Sequence, residues 1–343
     1  MRDYALSDLT LSAPGLARLR HGVAAKSRLR FARRILEVGS EVALAAVMDR
    51  LRPLRGEIRR IDAGVVPSGS GRLALYLHWS PSGRVSEMVL RQLDAWRAEG
   101  FDIVFVSNAT PPDDDWVALA ERCVLRIERA NIGRDFGAWR DALAIAAERL
   151  GTPRELLLAN DSVLGPIRPI APVVAALRSG GEGLFGLTES RGGGPHLQSY
   201  VLLARGDGAV AELGRHLAAC VPSRSKWRLV QQGEIGLTRR MLQAGHRVAA
   251  LFGHDRVGEA LDARMLAAFG PRFAEPGAYD RYPLNPTHHL WRVLVEEFGF
   301  PYLKTELVLR NPGRLPGVEA WPEVVDGAAL PLLQAHLALM RGG

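Results

Sequence analysis

Short apolar runs bounded by polar or glycine-bearing breaks recur through the middle of the chain, with stretches of helical spacing between them. Residues 73–78, 101–107, 124–127 and 156–159 each have the length and mainly apolar character of a buried strand. Residues 86–99, 113–121 and 136–150 carry the helical pattern. The first of these helices stops at Gly100, and the second starts behind Pro111 and Pro112 with acids in its first turn, as helix N-termini prefer. Strands alternating with helices predict βαβ units and a mostly parallel, Rossmann-type sheet flanked by helices, an α/β fold. The later half is less regular. Strands are expected at 183–188, 197–203, 247–252 and 303–309, and helices at 209–219, 235–244 and 290–298, with a Gly-rich loop at 191–195.

Residues 1–64 form a basic, helix-leaning N-terminal segment. Over residues 27–49, Leu29, Ala32, Ile35 and Leu36 recur at helical spacing with arginines on the other face. Two readings stay open: a helix lying on a membrane surface or a partner, or a solvated helix packed on the main domain. Residues 66–71, rich in Gly, Ser and Pro, read as a linker or sharp loop. The expected organisation is thus 1–64, a main domain over 65–312, and a C-terminal tail with a helix over 313–343.

The 343 residues, 47% hydrophobic and 24% charged, are those of an ordinary globular protein. The longest uncharged apolar runs fall far short of the roughly 20 residues a bilayer-spanning helix needs. Met1-Arg2-Asp3-Tyr4 leads into a polar segment with no signal-peptide pattern. These features predict a cytoplasmic protein and leave peripheral contact with the inner membrane face open. Cys123 and Cys220 have no disulfide or metal-ligand spacing and read as buried free thiols. The net charge of +7 is carried by arginine, since Lys26, Lys226 and Lys304 are the only lysines. A GC-rich genome explains such a bias as well as attraction to phosphates does. Aromatic residues are not interleaved with the basic ones, so nucleic acid is not an expected partner.

The chemistry is expected at strand ends. The run Leu156-Leu157-Leu158-Ala159 stops on Asn160-Asp161-Ser162, and open α/β sheets bind ligands outside the carboxyl ends of their strands. One carboxylate between two hydrogen-bonding side chains suits a divalent cation, a diphosphate or a sugar, although an Asx turn would use the same residues. A second segment, Asn131-Ile132-Gly133-Arg134-Asp135-Phe136-Gly137, joins a strand to a helix. Its glycines allow close backbone approach, Arg134 could grip a diphosphate, and Asp135 could either bind a sugar hydroxyl or cap the helix. Glu234 falls near a helix start, as a first-turn acid or a general base. His196 beside the Gly-rich loop reads as structural, and His254-Asp255 as a weaker metal or phosphate candidate.

Five blocks taken in order resemble the rhamnan synthesis protein F family of bacterial surface-polysaccharide assembly. They are Asn131 to Trp139, Leu158 to Pro166, Gln198-Ser199-Tyr200, Gly233 to Leu237, and Asn285 to Trp291 running on to Gly299-Phe300-Pro301-Tyr302-Leu303-Lys304-Thr305-Glu306-Leu307. The resemblance spans about residues 73–312. It implies a GT-A-like glycosyltransferase moving rhamnose or another deoxysugar from a nucleotide-sugar donor to a glycan or lipid-linked glycan acceptor. By position, Asp161 would bind Mg²⁺ or Mn²⁺ or the diphosphate. Asn131, Gly133, Arg134, Asp135, Asn160 and Ser162 would line the nucleotide pocket, and Glu234 would be the catalytic base. Many GT-A enzymes carry Asp-x-Asp where this chain reads Asn160-Asp161-Ser162. The missing carboxylate leaves a second reading, a noncatalytic glycan-binding or assembly subunit on the same fold.

Overall fold

A computed structural model describes residues 4–11, 28–54 and 56–342; within the first helix the side chains of residues 28–32, 34 and 35 fall outside the description. Twelve strands are present among the described residues: β1 (Ser7–Asp8), β2 (Ile58–Ala63), β3 (Arg72–His78), β4 (Asp102–Ser107), β5 (Leu125–Arg129), β6 (Glu155–Asn160), β7 (Val163–Leu164), β8 (Gly183–Ser190), β9 (His196–Leu197), β10 (Val201–Arg205), β11 (Val248–Phe252) and β12 (Leu303–Lys304). The main sheet runs in the order β1-β11-β8-β10-β6-β3-β4-β5-β2, with β9 paired to β8. Its centre, β6-β3-β4-β5, is parallel, and β8 and β11 form a further parallel pair. β10 runs antiparallel between the two parallel groups, and β1 and β2 are antiparallel edges. The sheet is therefore mixed around a parallel core.

Burial on both faces explains why the central strands read as mainly apolar runs. On one face the helix Glu87–Ala98 lays Met88, Val89, Leu93 and Trp96 against the sheet. On the other, the helix Arg134–Leu150 buries Phe136, Trp139, Ala142 and Ala146 beside Leu213, Leu217 and Met241. The chain steps from β3 through β4 to β5, then crosses the opposite face to β6 on the far side of β3. The divergence between β3 and β6 is a topological switch point, where open α/β sheets form their crevice.

Several expected elements differ. The first 64 residues are not only helical, because β1 and β2 pair into the main sheet. Residues 197–203 are two strands, since the chain turns at 198–200. Residues 303–309 are a strand only at Leu303–Lys304, because β7 offers two residues to pair with; Thr305–Arg310 is then helical, its first amide donating to Ser162 O at 3.0 Å. The helix expected over 290–298 is Pro286–His289 followed by Trp291–Glu296.

The helix Arg28–Leu51 docks through polar contacts: Ser225 Oγ donates to Glu41 Oε1 at 2.8 Å and Arg224 Nη1 to Asp49 Oδ1 at 2.8 Å. Of its expected apolar positions, Leu29, Ala32 and Ile35 lie outside the described side chains, and Leu36 is 73% exposed. No helix among the described residues is long and apolar enough to cross a membrane. Cys123 and Cys220 are buried free thiols, as expected.

Three buried histidines couple this core to pH. Burial holds the His78, His216 and His336 rings down at about 4 each. They are neutral when folded, whereas the unfolded chain takes up protons below about 6.5. Their contribution to stability is therefore present above that pH and lost as pH falls through 4. The melting temperature should drop between pH 6.5 and 4. His336→Leu, which removes one such ring from the helix Leu330–Arg341, should make the drop shallower in a pH series of thermal melts.

Candidate functional site at the β3–β6 divergence

Asp161 follows β6 directly and extends its pairing with β3, its amide donating to Leu77 O at 3.2 Å. Its carboxylate Oδ2 accepts the Trp79 amide at 2.8 Å, tying the two diverging strand ends together. Burial pushes the Asp161 carboxyl up to about 8, with the Trp79 amide pulling the other way and Asp135 adding to the rise.

A chain of hydrogen bonds starts beside it. Lys304 Nζ donates to Ser162 Oγ at 2.8 Å, Ser162 Oγ donates to Asn160 Oδ1 at 2.5 Å, and Asn160 Nδ2 donates to Asp135 Oδ2 at 3.0 Å. Every link points the same way, from ammonium to carboxylate, which lets the bonds polarise one another. The Asx-turn reading of Asn160 is also realised, because Asn160 Oδ1 accepts the Ser162 amide at 3.1 Å. Burial raises the Asp135 carboxyl above its ordinary range against the pull of Lys304, with Glu234 reinforcing the rise.

Asp135 lies in the first turn of the helix Arg134–Leu150, whose preceding loop is propped from within the fold. The buried Arg129 pairs with Asp141 at 2.9 Å, donates to Ile132 O at 2.7 Å and to Asn108 Oδ1 at 2.5 Å. Asn108 Nδ2 in turn donates to Asn131 Oδ1 at 3.3 Å. Gly133 has φ +77°, and a Cβ on Gly137 would lie 2.6 Å from Ile132 O, so both glycines are needed for this turn. Arg134 itself sits at φ 51°, an uncommon conformation for a side-chain-bearing residue, and its guanidinium is exposed.

Glu234 reaches the same region from a π-helical segment, Gln231–Ile235, between the helices Lys226–Val230 and Gly236–Gln243. Such insertions recur at functional sites because they re-aim one side chain within a helix. Gly233 makes the segment fit: a Cβ there would lie 2.6 Å from the Phe136 ring. Glu234 Oε1 accepts from the Ser199 amide at 3.1 Å and from Ser199 Oγ at 2.6 Å, and Oε2 faces His196 Nε2 at 3.7 Å.

Asp135, Asn160, Asp161, Ser162 and Glu234 thus converge, while Asn131, Gly133 and Arg134 form the neighbouring loop. Sequence reasoning assigned no role to Lys304, whose contact with Ser162 spans 142 positions. One signal for it was present: in a chain that uses arginine almost throughout, Lys226 and Lys304 are two of only three lysines, and both act on Asp135 electrostatically.

The donor set around Asp161 does not make a resident site for Mg²⁺ or Mn²⁺. The strand end supplies one carboxylate, the flanking Asn160 and Ser162 are engaged with each other, and an ammonium adjoins Ser162. Among the described residues, three potential ligands within 4.8 Å of one another occur at His254, Asp255 and Asp280. There Arg191 already supplies the positive charge, donating to Asp255 Oδ1 at 2.8 Å.

Asp161 gives the site a pH signature. Its carboxyl titrates near 8 when folded and near 3.9 when unfolded, so the stability it contributes is present below 3.9 and lost as pH rises through 8. Asp161→Asn should melt close to wild type at pH 4 and clearly above it at pH 9 in paired thermal melts.

The family model of rhamnan synthesis protein F matches residues 103–268. The resemblance to this family is borne out over the stretch from Asn131 to Glu234. An uncharacterized protein of Sinorhizobium fredii (strain NBRC 101917 / NGR234), y4gN, is 30% identical over 198 residues, which cover 56% of this chain and 51% of that relative. The chain therefore spans about half the length of the curated relative it matches. A mannosyltransferase of Pyrobaculum calidifontis, solved with GDP-mannose and Mn²⁺, aligns over 90% of both chains at 12% identity with a TM-score of 0.30. A score that low carries no weight for function.

Proposed function

We propose that this chain, matched over residues 103–268 to rhamnan synthesis protein F, is a glycosyltransferase of polysaccharide synthesis with a GT-A-like arrangement. It would move rhamnose or another deoxysugar from a nucleotide-sugar donor to a glycan or lipid-linked glycan. The observation that carries this reading is the convergence of Asp135, Asn160, Asp161, Ser162 and Glu234 at the carboxyl ends of parallel strands, inside the matched stretch. A transferase of this kind must hold a diphosphate, place an acceptor hydroxyl against the anomeric carbon and remove its proton.

In this reading Asn131, Gly133 and Arg134 border the nucleotide, and the exposed guanidinium of Arg134 meets the diphosphate. Asp135, Asn160 and Ser162 orient the sugar-diphosphate through the hydrogen-bond chain they share. Asp161 holds the floor of the pocket at the point where the leaving diphosphate sits. Glu234 is the base. Ser199 occupies its Oε1 with two hydrogen bonds, so Oε2 takes the proton of the acceptor hydroxyl. As the acceptor oxygen bonds to the anomeric carbon, the bond to the diphosphate breaks and its electron pair leaves with the diphosphate.

The full chain should be incubated with a panel of nucleotide sugars and acceptor glycans, with and without Mg²⁺ or Mn²⁺, while nucleoside diphosphate release is followed. Glu234→Gln should lower turnover by about 10²–10⁴-fold with nucleoside diphosphate binding retained. Unchanged transfer in Asp161→Ala would remove that residue from the site. Glycan binding with no diphosphate released from any donor would instead identify a noncatalytic assembly subunit.

A further inference from the structure

We propose that the Lys304 ammonium is the cation that receives the leaving diphosphate, so that transfer in this site needs no divalent metal. The inference rests on the transferase reading above and adds a residue to it.

Position is the first argument. Lys304 lies on β12, opposite Val163 of β7, and so adjoins the strand-end loop of Asn160, Asp161 and Ser162. The next residue fastens it there: the Thr305 amide donates to Ser162 O at 3.0 Å and Thr305 Oγ1 to Asp161 O at 3.3 Å. A side chain held this way is preorganised, which is what electrostatic stabilisation of a developing charge requires.

The second argument is what the ammonium leaves unused. Its Nζ donates one hydrogen bond, to Ser162 Oγ, and lies 5.2 Å from the centre of the Tyr200 ring. That ring is fixed by a 2.6 Å hydrogen bond between its hydroxyl and Thr188. Among the described residues no carboxylate pairs directly with Lys304, so two of its three N–H donors remain for a ligand. Burial pulls the Lys304 ammonium below its ordinary range, while Glu234, Asp135 and Glu306 act through space in favour of the charged form. A compact ammonium meets a phosphate oxygen as a point charge and does not depend on the planar, bidentate approach of a guanidinium.

The chemistry balances without a co-reactant. The bond from the anomeric carbon to the diphosphate oxygen breaks, its electron pair stays on that oxygen, and a Lys304 N–H donates to it. The acceptor proton goes to Glu234. The single carboxylate at the β6 end is then sufficient, because the positive charge comes from the other side of Ser162.

The test uses the full chain, its Lys304→Met and Lys304→Arg variants, and uridine, guanosine and thymidine diphosphates as calorimetric probes, with chelator present. Donor turnover is measured with chelator and with added Mn²⁺. The proposal expects wild type to bind one diphosphate and release it from the matching donor in chelator. Lys304→Met should lose at least tenfold in diphosphate affinity and roughly 10²–10³-fold in turnover, with an unchanged melting temperature. Lys304→Arg should recover part of the affinity, which a purely structural lysine would not require. Wild-type turnover that disappears in chelator and returns with Mn²⁺ overturns the proposal without any variant, as does wild-type behaviour of Lys304→Met. If wild type neither binds a diphosphate nor consumes a donor, the transferase reading falls and this inference with it.

Discussion

The parting of β3 and β6 governs the rest of this structure. Two neighbouring parallel strands send their chains in opposite directions along the sheet, β3 toward β4 and β6 toward β8, and the gap they leave must be held open without exposing unpaired backbone. Asp161 solves that problem with one residue: its amide continues the ladder to Leu77 and its carboxylate closes on the Trp79 amide. The cost is a buried carboxyl, pushed up to about 8. Nearby features add positive charge and hydrogen bonding to that region, with Lys304 joined to Asn160 through Ser162 and Asn160 joined to Asp135.

Several of these features are unfavourable for folding taken singly. Arg134 has a left-handed backbone, two carboxyls are raised by burial, and Glu234 stands on a π-helical turn. Each would be relieved by an ordinary residue or a regular helix. They persist because the surroundings over-determine them: Arg129 braces one loop from beneath, and Ser199 holds Glu234 with two donors. Strain gathered at the carboxyl end of the parallel core is the distribution expected of a functional crevice.

The parallel core was legible because strands buried on both faces leave unbroken apolar runs, as 73–78 and 156–159 do. β2 was not, because Ile58-Arg59-Arg60-Ile61-Asp62-Ala63 is an edge strand whose exposed positions carry charge. Two-residue strands such as β12 depend on a partner far along the chain and leave no periodicity to read. Within the site, Asp161, Asn160 and Asp135 could be found because each lies where a strand gives way to a loop or helix. Glu234 was visible as an acid near a helix start, but its π-helical setting depends on Phe136 packing against Gly233 and has no local signature. Lys304 depends on a contact across most of the domain, and only the scarcity of lysine singled it out.

The packing of Phe136 over Gly233 also bears on how such sequences can diverge. Phe136 is anchored in the core next to Trp139 and His216, with ring centroids 5.4 and 6.1 Å away, so it has little room to retreat from position 233. A larger residue at 233 would have to be matched by a smaller one at 136. Positions 97 apart in the chain are therefore free to drift only as a pair, and that pair joins the loop bearing Asp135 to the turn bearing Glu234. Related chains that keep this crevice should preserve the combined volume of the two positions more closely than the identity of either.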